Sequence, residues 1–375
     1  MNTTCLPLRI LQVFCCTLFL TAFPLAAQEK EQIAIDGDTA KKIVKSPWET
    51  VDVESKSHFR GLHVVDDNVI WASGSNGTVI VSADGGETWR KRVVEGGEDL
   101  DFRDIHGFDS GSAVIISSGE VAKIFRTTNG GRTWKNCKTK SEAFYDSLSF
   151  WNDRYGIVMS DPIDGRFWLE RTQDGGITWK PLKEPLRPLA DSGEAGFAAS
   201  GTNMCVVGDS TCFIGLGGTE ENQSRASSRI LISSNRGKTW EFGGPVPIKR
   251  SPSSGIFSLW FQDDLRGVAV GGDYLAPDDS SSNYAVTEDG GKTWTTPSPR
   301  VPPSGFRSCV AAWKNIREVK LVAVGTEGTD MSTDLGNKWS RISNKGFNTV
   351  DFSETGRSGW AVGQNGSVAR WVLRR

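Results

Sequence analysis

This sequence of 375 residues has few cysteines, only short apolar runs and no excess of positive charge. Of the seven cysteines, three precede residue 17, and none has the C-x-x-C spacing of a zinc or redox site. Lys and Arg number 43 against 45 Asp and Glu, so nothing attracts the chain to nucleic acid. The longest apolar run, residues 10–20, is shorter than a membrane span requires. We therefore expect no disulfide framework, no nucleic-acid partner and no membrane span.

The sequence motifs of nucleotide and acyl chemistry are missing as well. There is no G-x-x-x-x-G-K-[ST] phosphate loop, no G-x-G-x-x-G between a strand and a helix, and no G-x-S-x-G nucleophile turn. The three histidines, His58, His63 and His106, do not have the spacing of metal ligands. The sequence therefore predicts no cofactor and no metal, and it contains no complete catalytic set.

The first 27 residues are typical of a signal peptide. Arg9 precedes the apolar run, and small residues end it at Ala26 and Ala27. Residues 28–46 are polar and are expected to form a flexible arm, whereas residues 47–375 form the folded domain. We expect export to the periplasm or the extracellular space after cleavage near Ala27.

An eight-residue pattern, the Asp box, recurs six times and ends each time in tryptophan. Its Asp or Asn is expected to accept hydrogen bonds from backbone N–H groups two residues on. These residues are Asp84, Asn129, Asp174, Asn235, Asp289 and Asp334. Because the turn accounts for them, we expect a structural and not a catalytic role. The last box has Lys338 where the others have threonine, so it is expected to be looser.

Successive boxes are separated by 45, 45, 61, 54 and 45 residues, which is typical of propeller blades. Each repeat contains four short strands, A to D, with the box between C and D. After the sixth box, segments 347–352, 359–363 and 367–371 supply A, B and C but no D. Residues 48–53 resemble an isolated D strand, and pairing them with 367–371 removes both exposed edges. The sequence therefore predicts an all-β, seven-bladed propeller of four-stranded antiparallel blades, closed by the N-terminal strand.

The antiparallel order places the A-strand starts, the B-strand ends and the B–C loops on the face opposite the Asp boxes. The two longest repeats gain their length between B and C, at residues 217–228 and 272–283. Blade 3 has a smaller excursion at residues 160–165. Long loops on one rim of a rigid scaffold commonly form a binding site, so we expect the ligand on this face.

Charged side chains and a tyrosine are expected to converge here, around the mouth of the central channel. The predicted ligand-binding residues are Arg60, Arg103, Asp146, Asp161, Glu194, Asp273, Tyr274 and Arg307. Arginines favour carboxylate or phosphate groups, which they bind through paired hydrogen bonds. The alternative is that these groups pair with one another at blade interfaces and are structural.

Two cysteines flank a short turn in blade 4. Cys205 and Cys212 are expected to lie opposite each other on strands A and B. Export permits a disulfide, but a hydrogen-bonded cross-strand pair does not favour one, so both states stay open.

The whole mature chain resembles the Asp-box propellers related to the photosystem II stability/assembly factor of cyanobacteria and plastids. The resemblance rests on the boxes and on motifs that begin at Phe59, Trp71 and Trp360. A bacterial exported subfamily, loosely labelled "oxidoreductase", is more similar still, through motifs that begin at Phe102, Ser160, Glu194 and Val270. The photosynthetic relatives bind a membrane-protein precursor, and the resemblance implies that their arginine patch corresponds to Arg60 and Arg103.

Two functions of different classes follow. An exported binding or assembly module with an unknown protein partner is favoured, because no complete catalytic set is present. The alternative is a glycoside hydrolase of the sialidase type that acts on an anionic carbohydrate, because Asp boxes also mark that superfamily. It requires three arginines on the sugar carboxylate and a Tyr–Glu pair. If the chain is an enzyme, we expect a glycosidase and not an oxidoreductase.

Overall fold

The computed structural model describes residues 46–119 and 121–372, which form seven antiparallel sheets arranged as propeller blades. The predicted signal peptide and residues 28–45 of the predicted arm lie outside the described residues. No helix within the described ranges is long and apolar enough to cross a membrane.

The strands follow one another from blade to blade in chain order. The first strand is β1 (Trp48–Val51). Blade 1 contains β2 (Phe59–Val64), β3 (Ile70–Gly74), β4 (Thr78–Ser82) and β5 (Arg90–Val93). Blade 2 contains β6 (Asp101–Gly107), β7 (Ala113–Ser118), β8 (Val121–Thr127) and β9 (Lys135–Ser141). Blade 3 contains β10 (Tyr145–Phe150), β11 (Gly156–Ile163), β12 (Arg166–Thr172) and β13 (Lys180–Pro181).

The remaining blades repeat the order. Blade 4 contains β14 (Met204–Val207), β15 (Thr211–Gly215), β16 (Ile230–Ser233) and β17 (Glu241–Phe242). Blade 5 contains β18 (Ser254–Phe261), β19 (Gly267–Asp273) and β20 (Tyr284–Thr287). Blade 6 contains β21 (Cys309–Lys314), β22 (Val319–Gly325), β23 (Gly328–Ser332) and β24 (Ser340–Ser343). Blade 7 contains β25 (Thr349–Phe352), β26 (Gly359–Val362) and β27 (Val368–Trp371). Two short 3-10 turns, Glu184–Leu186 and Gln364–Gly366, interrupt this part of the chain.

Burial follows position within a blade. Strands β3 and β7 are buried at every residue, because neighbouring blades cover both of their faces. The outer strand β5 alternates between half-buried and exposed residues. The apolar core is accordingly divided into clusters that lie between successive blades.

The predicted ring closure is confirmed. Strand β1 pairs antiparallel with β27 and supplies the fourth strand of blade 7. Trp48 fixes this strand, since its ring is only 4% exposed and its Nε1 donates to Thr329 Oγ1 at 3.0 Å. The free edge of β27 is thereby paired, and blade 7 has four strands like most other blades.

The Asp-box turns form as hydrogen-bonded loops, with one difference from the expectation. Asp84 Oδ1 accepts from the backbone N–H of Thr88, four residues on and not two, at 2.9 Å. The Thr88 hydroxyl also donates to the Asp84 carboxylate. This bond has the largest effect and the backbone bond the next largest, and together they lower the pKa of Asp84 to about 2. In the last box Asp334 still accepts from Lys338 N at 2.8 Å, so what that box lacks is the threonine hydroxyl.

Blade 5 has three regular strands, and its D strand is reduced to one bridge between Val286 and Thr295. Prolines at positions 297, 299, 302 and 303 follow this bridge. Proline has no N–H to give to the ladder, so the fourth strand cannot continue.

The expected pairing of Cys205 with Cys212 is wrong. Three residues, and not two, connect β14 and β15, so Val206 lies opposite Cys212 and Cys205 lies opposite Phe213. A shift of one residue turns the two side chains to opposite faces of the blade. Both are free thiols, and they pack in different core clusters.

The loops differ in part from the expected ones. Blades 4 and 5 have long B–C connections, residues 216–229 and 274–283. In blade 3 the strands themselves extend, and a two-residue turn at Asp164 and Gly165 joins them. The third spacing between boxes is the longest, and the B–C loop accounts for only part of it. Another part comes from residues 182–203, which connect blades 3 and 4.

Candidate functional site

β-bulges at the start of the innermost strands position several of the predicted residues. The register shifts at Arg60 in blade 1, Arg103 in blade 2 and Asp146 in blade 3, each of which is left without a partner residue. Phe257 occupies the same position in blade 5. A bulge turns the extra side chain away from the regular ladder, and all four bulges lie at the end of the inner strand opposite the Asp boxes.

Arg60 and Arg103 share one carboxylate. Asp101 Oδ2 lies 2.9 Å from Arg103 Nε and 3.8 Å from Arg60 Nε, and both arginine side chains are 21% exposed. Burial and the neighbouring Arg103 lower the pKa of Arg60 to about 10. Nearby His58 has a pKa lowered to about 4, mainly by burial and then by Arg60, so it is neutral at pH 7. The two guanidinium groups are thus less than fully neutralised by Asp101.

A segment that the sequence did not place, residues 194–202, lies across the mouth of the central channel. We call it the crossing segment. Its Ala198 carbonyl accepts from Arg103 Nη1 at 3.0 Å, in blade 2. Its Ser200 hydroxyl donates at 2.8 Å to the carbonyl of Ser308, next to blade 6. The segment therefore connects blades that are not adjacent in the ring.

Asp146, which is buried, and Asp161, which is half-buried, form a carboxyl pair beside this segment. Asp161 Oδ1 accepts from Gly196 N at 3.1 Å. Burial, and then the charge of Asp161, raise the pKa of Asp146 well above its usual value. Burial raises the pKa of Asp161 to about 7. Burial and mutual repulsion therefore disfavour the state in which both carboxyl groups are ionised.

Glu194 lies away from the two exposed arginines. Its enclosed carboxylate accepts from Arg229 Nε at 2.8 Å and pairs with Arg250, while Asp191 lies 2.6 Å from Arg250 Nη2. The four residues form a partly buried network in which each charge has an opposite partner.

Arg307 is also enclosed. Its side chain and that of Asp330 are both 0% exposed, and Arg307 Nε donates to Asp330 Oδ2 at 2.6 Å. Arg307 therefore does not stand with Arg60 and Arg103 at an open surface.

Asp273 and Tyr274 lie beside an aromatic group. Tyr274 is 39% exposed and packs edge-on against Phe257. Phe257 stacks on Phe197 of the crossing segment, with ring centroids 4.0 Å apart. Asp273 accepts from the backbone N–H of Leu275, whose side chain is 74% exposed. The crossing segment thus carries the aromatic contact and the arginine contact on adjacent residues, Phe197 and Ala198.

The constellation that a sialidase requires is not assembled by these residues. Only two of the three predicted arginines share a carboxylate, and the acid beside Tyr274 is an aspartate. A Tyr–Glu pair does occur in blade 3, where Tyr145 Oη donates to Glu170 Oε1 at 3.0 Å. Both side chains of that pair are buried, and Lys138 neutralises the glutamate at 2.8 Å. This pair therefore fills the core and faces no substrate.

Below the crossing segment, the central channel holds a cavity of about 310 Å³. All seven blades contribute to its lining, which includes Gly201, Thr202, Asp104, Asp351, His63 and His106. Gly201 has no room for a side chain, since a Cβ there would lie 2.2 Å from Asp104 Cγ. The crossing segment is therefore tightly fitted over one end of the cavity.

Comparison with known proteins agrees with this architecture. Photosystem II assembly lipoprotein Ycf48 of Picosynechococcus is 24% identical over 359 residues, 88% of this chain and 89% of the relative. A sialidase of Paraclostridium sordellii is 22% identical over 218 residues, 57% of this chain and 48% of the sialidase. The solved structure "YCF48 bound to D1 peptide" has a TM-score of 0.59 at 17% identity and covers 90% of this chain and 100% of that one. The family description of the photosynthesis system II assembly factor YCF48 matches residues 40–372. This chain belongs to that family.

Proposed function

We propose that this protein is an exported binding and assembly module that recognises an acidic peptide segment of a protein partner at Arg60 and Arg103. The observation that carries the proposal is their shared use of Asp101. Within the described residues Arg60 forms only the long ion pair to Asp101 through its buried Nε, so the exposed part of its guanidinium group is available to a ligand. A carboxylate bound there offsets the repulsion from Arg103 and accepts paired hydrogen bonds.

The aromatic group extends this surface. Tyr274 and Leu275 are exposed beside Phe257, and Phe197 connects them to the crossing segment. An acidic residue at the arginines and an apolar residue at the aromatic group together favour an extended peptide over a single small anion. The relatives named as assembly lipoproteins and the structure named as a peptide complex support the same class of ligand.

The remaining predicted residues have other roles in this proposal. Glu194 and Arg307 hold the fold through buried partners. Export is part of the proposal, and the relatives named as lipoproteins support it. Cleavage near Ala27 stays a prediction from the sequence. A sialidase-type hydrolase has less support, because Arg307 is enclosed and no glutamate lies with Tyr274.

The test is a binding measurement with synthetic peptides by fluorescence anisotropy. Acidic peptides with an apolar residue are expected to bind, with affinity that falls as salt rises, whereas basic peptides of the same length do not. Replacing Arg60 and Arg103 together by Ala abolishes the binding. The control is Arg266→Ala, which removes an exposed arginine that is paired with Asp263 on a different loop. Equal affinity of the double variant and the control would contradict the proposal.

A further inference from the structure

Three polar side chains from separate segments meet around one glycine of the crossing segment. Gly196 N donates to Asp161 Oδ1. A Cβ added at Gly196 would lie 2.8 Å from Asp146 Oδ2 and 3.1 Å from Asn203 Nδ2. Asp146 belongs to β10 and Asp161 to β11, whereas Asn203 immediately precedes β14. The cluster therefore joins blade 3, blade 4 and the crossing segment at one point.

The carboxylates in this cluster lack a committed cation. Asp146 is fully buried, and neither of its oxygens has a conventional hydrogen-bond partner among the described residues. Arg103 is the neighbouring positive charge, but its Nε pairs with Asp101 and its Nη1 donates to the Ala198 carbonyl. Two neighbouring carboxylates in a buried place are costly unless a proton or a metal ion lies between them.

Asn203 is an independent sign of a ligand. Its side chain is 0% exposed, and neither Oδ1 nor Nδ2 has a hydrogen-bond partner among the described residues. Leaving a buried amide unsatisfied costs free energy, so such a group needs an explanation. A half-turn of the amide presents Oδ1 in place of Nδ2 towards Gly196, and the two orientations fill the same space. The cluster then contains an amide oxygen beside two carboxylates.

We propose that Asp146, Asp161 and Asn203 bind a hard divalent cation, Ca²⁺ or Mg²⁺, that fastens the crossing segment to blades 3 and 4. Both ions prefer carboxylate and amide oxygens to nitrogen or sulfur ligands. Nowhere in the described ranges do three or more His, Cys, Asp or Glu side chains group as a metal site, so the amide is the distinguishing third ligand. Asp161 is only half-buried, which gives water access to complete the coordination.

This inference stands apart from the proposed peptide site. The cation neutralises the carboxyl pair beneath Arg103 and holds Gly196 in place. The crossing segment then keeps the Arg103 contact at Ala198 and the Phe197 stack in one arrangement. Loss of the ion loosens the segment without removing any peptide-contacting arginine.

The experiment compares thermal melting and isothermal titration of the full mature protein after EDTA treatment and dialysis. Addition of CaCl₂ or MgCl₂ at pH 7.5 is expected to raise the melting temperature with one binding site per chain, because an ion that binds only the folded state stabilises it. Asp161→Asn is expected to lose this rise and the titration heat. Asn203→Asp adds a third carboxylate, so it is expected to strengthen the affinity while lowering the melting temperature of the metal-free protein.

The matched control is Asp84→Asn, which also removes one carboxylate. Asn129 and Asn235 occupy the corresponding Asp-box position naturally, so this change is structurally tolerated and must keep the metal response. A melting temperature that responds to neither metal would overturn the proposal and assign the carboxyl pair a shared proton. A metal response that Asp161→Asn leaves intact would overturn it as well, because the ion then binds elsewhere. If Asp161→Asn fails to fold, weaker binding by Asn203→Asp contradicts the proposal equally.

Discussion

Arg307 and Asp330 face each other with both side chains fully enclosed, whereas Arg60 and Arg103 remain partly open to solvent. Three arginines that look equivalent in the sequence, each after a phenylalanine at the start of an inner strand, thus have two different environments.

Replacing Arg307 by Ala is expected to destabilise the protein by about 3–5 kcal/mol, because it leaves the Asp330 carboxylate buried without a partner. Urea unfolding measures the loss. The matched control is Arg266→Ala, whose exposed ion pair with Asp263 is worth less than about 1 kcal/mol. Changing Asp330 to Ala in the same chain is expected to recover part of the stability. A small loss in Arg307→Ala would show that this pair does not hold blade 6.

Trp48→Ala is expected to lower the free energy of unfolding by about 3–5 kcal/mol, as for other buried aromatic residues. The reason is the loss of its packing against Phe347 and of its hydrogen bond to Thr329. Removing residues 28–53 takes out β1 and is expected to destabilise the whole propeller, whereas removing residues 28–45 leaves β1 in place. Equal melting temperatures of the two truncated proteins would refute the role of β1 in closing the ring.

Asp174→Ala is expected to cost about 1–2 kcal/mol, because the turn N–H of Thr178 loses its acceptor. Peptide affinity should not change, since the box lies on the other face of the propeller. Asp174→Asn is the control, because two boxes have asparagine here already. A stable Asp174→Ala protein that no longer binds the peptide would contradict this assignment, because it would place the ligand on the Asp-box face.

The stability of the protein is expected to fall as pH rises from about 6.5 to about 8.5. Burial raises the pKa of Asp104 to about 8 and of Asp351 and Asp161 to about 7. In this window the folded state binds more protons than the unfolded state, so deprotonation favours unfolding. Below pH 6.5 three histidines with lowered pKa values act in the opposite direction.

Urea unfolding in EDTA at several pH values measures this effect. Asp104→Asn is expected to flatten the plot of unfolding free energy against pH between pH 7 and 8.5. An asparagine has one carbonyl oxygen in place of two carboxylate oxygens, so either Ile105 N or Leu148 N loses its acceptor and the variant is less stable at pH 6.5. A rise in stability over that range in the unmodified protein would contradict the raised carboxyl pKa values.

The features that the sequence predicted correctly depend on local patterns or on edge pairing. The Asp boxes repeat one eight-residue pattern, and the missing seventh box together with the segment at Trp48 was enough to predict how the ring closes. The turn at Asp209 was misjudged by one residue, which a pattern of alternating side chains could not reveal, and this reversed the faces of Cys205 and Cys212.

The candidate site was less predictable because it depends on contacts between distant segments. The crossing segment has no periodicity, and its position is set by Arg103, Ser308 and the close approach of Gly201 to Asp104. The glycines at 193, 196 and 201 were the available signal, since several glycines in one long connection suggest close backbone packing. Arg307 pairs with Asp330, which lies on the C strand of blade 6. No motif near either residue predicts that the two side chains meet.

Blade 7 takes one strand from the beginning of the folded chain and three from its end. A ribosome or an export channel delivers β1 first and β27 last, so the four residues of β1 have no partner until almost the entire polypeptide has emerged. Any chain that is truncated before β27 therefore cannot pair β1 with β27, even when its other blades are complete. Closure of the ring is therefore a late event in the synthesis of this chain, whichever blade folds first.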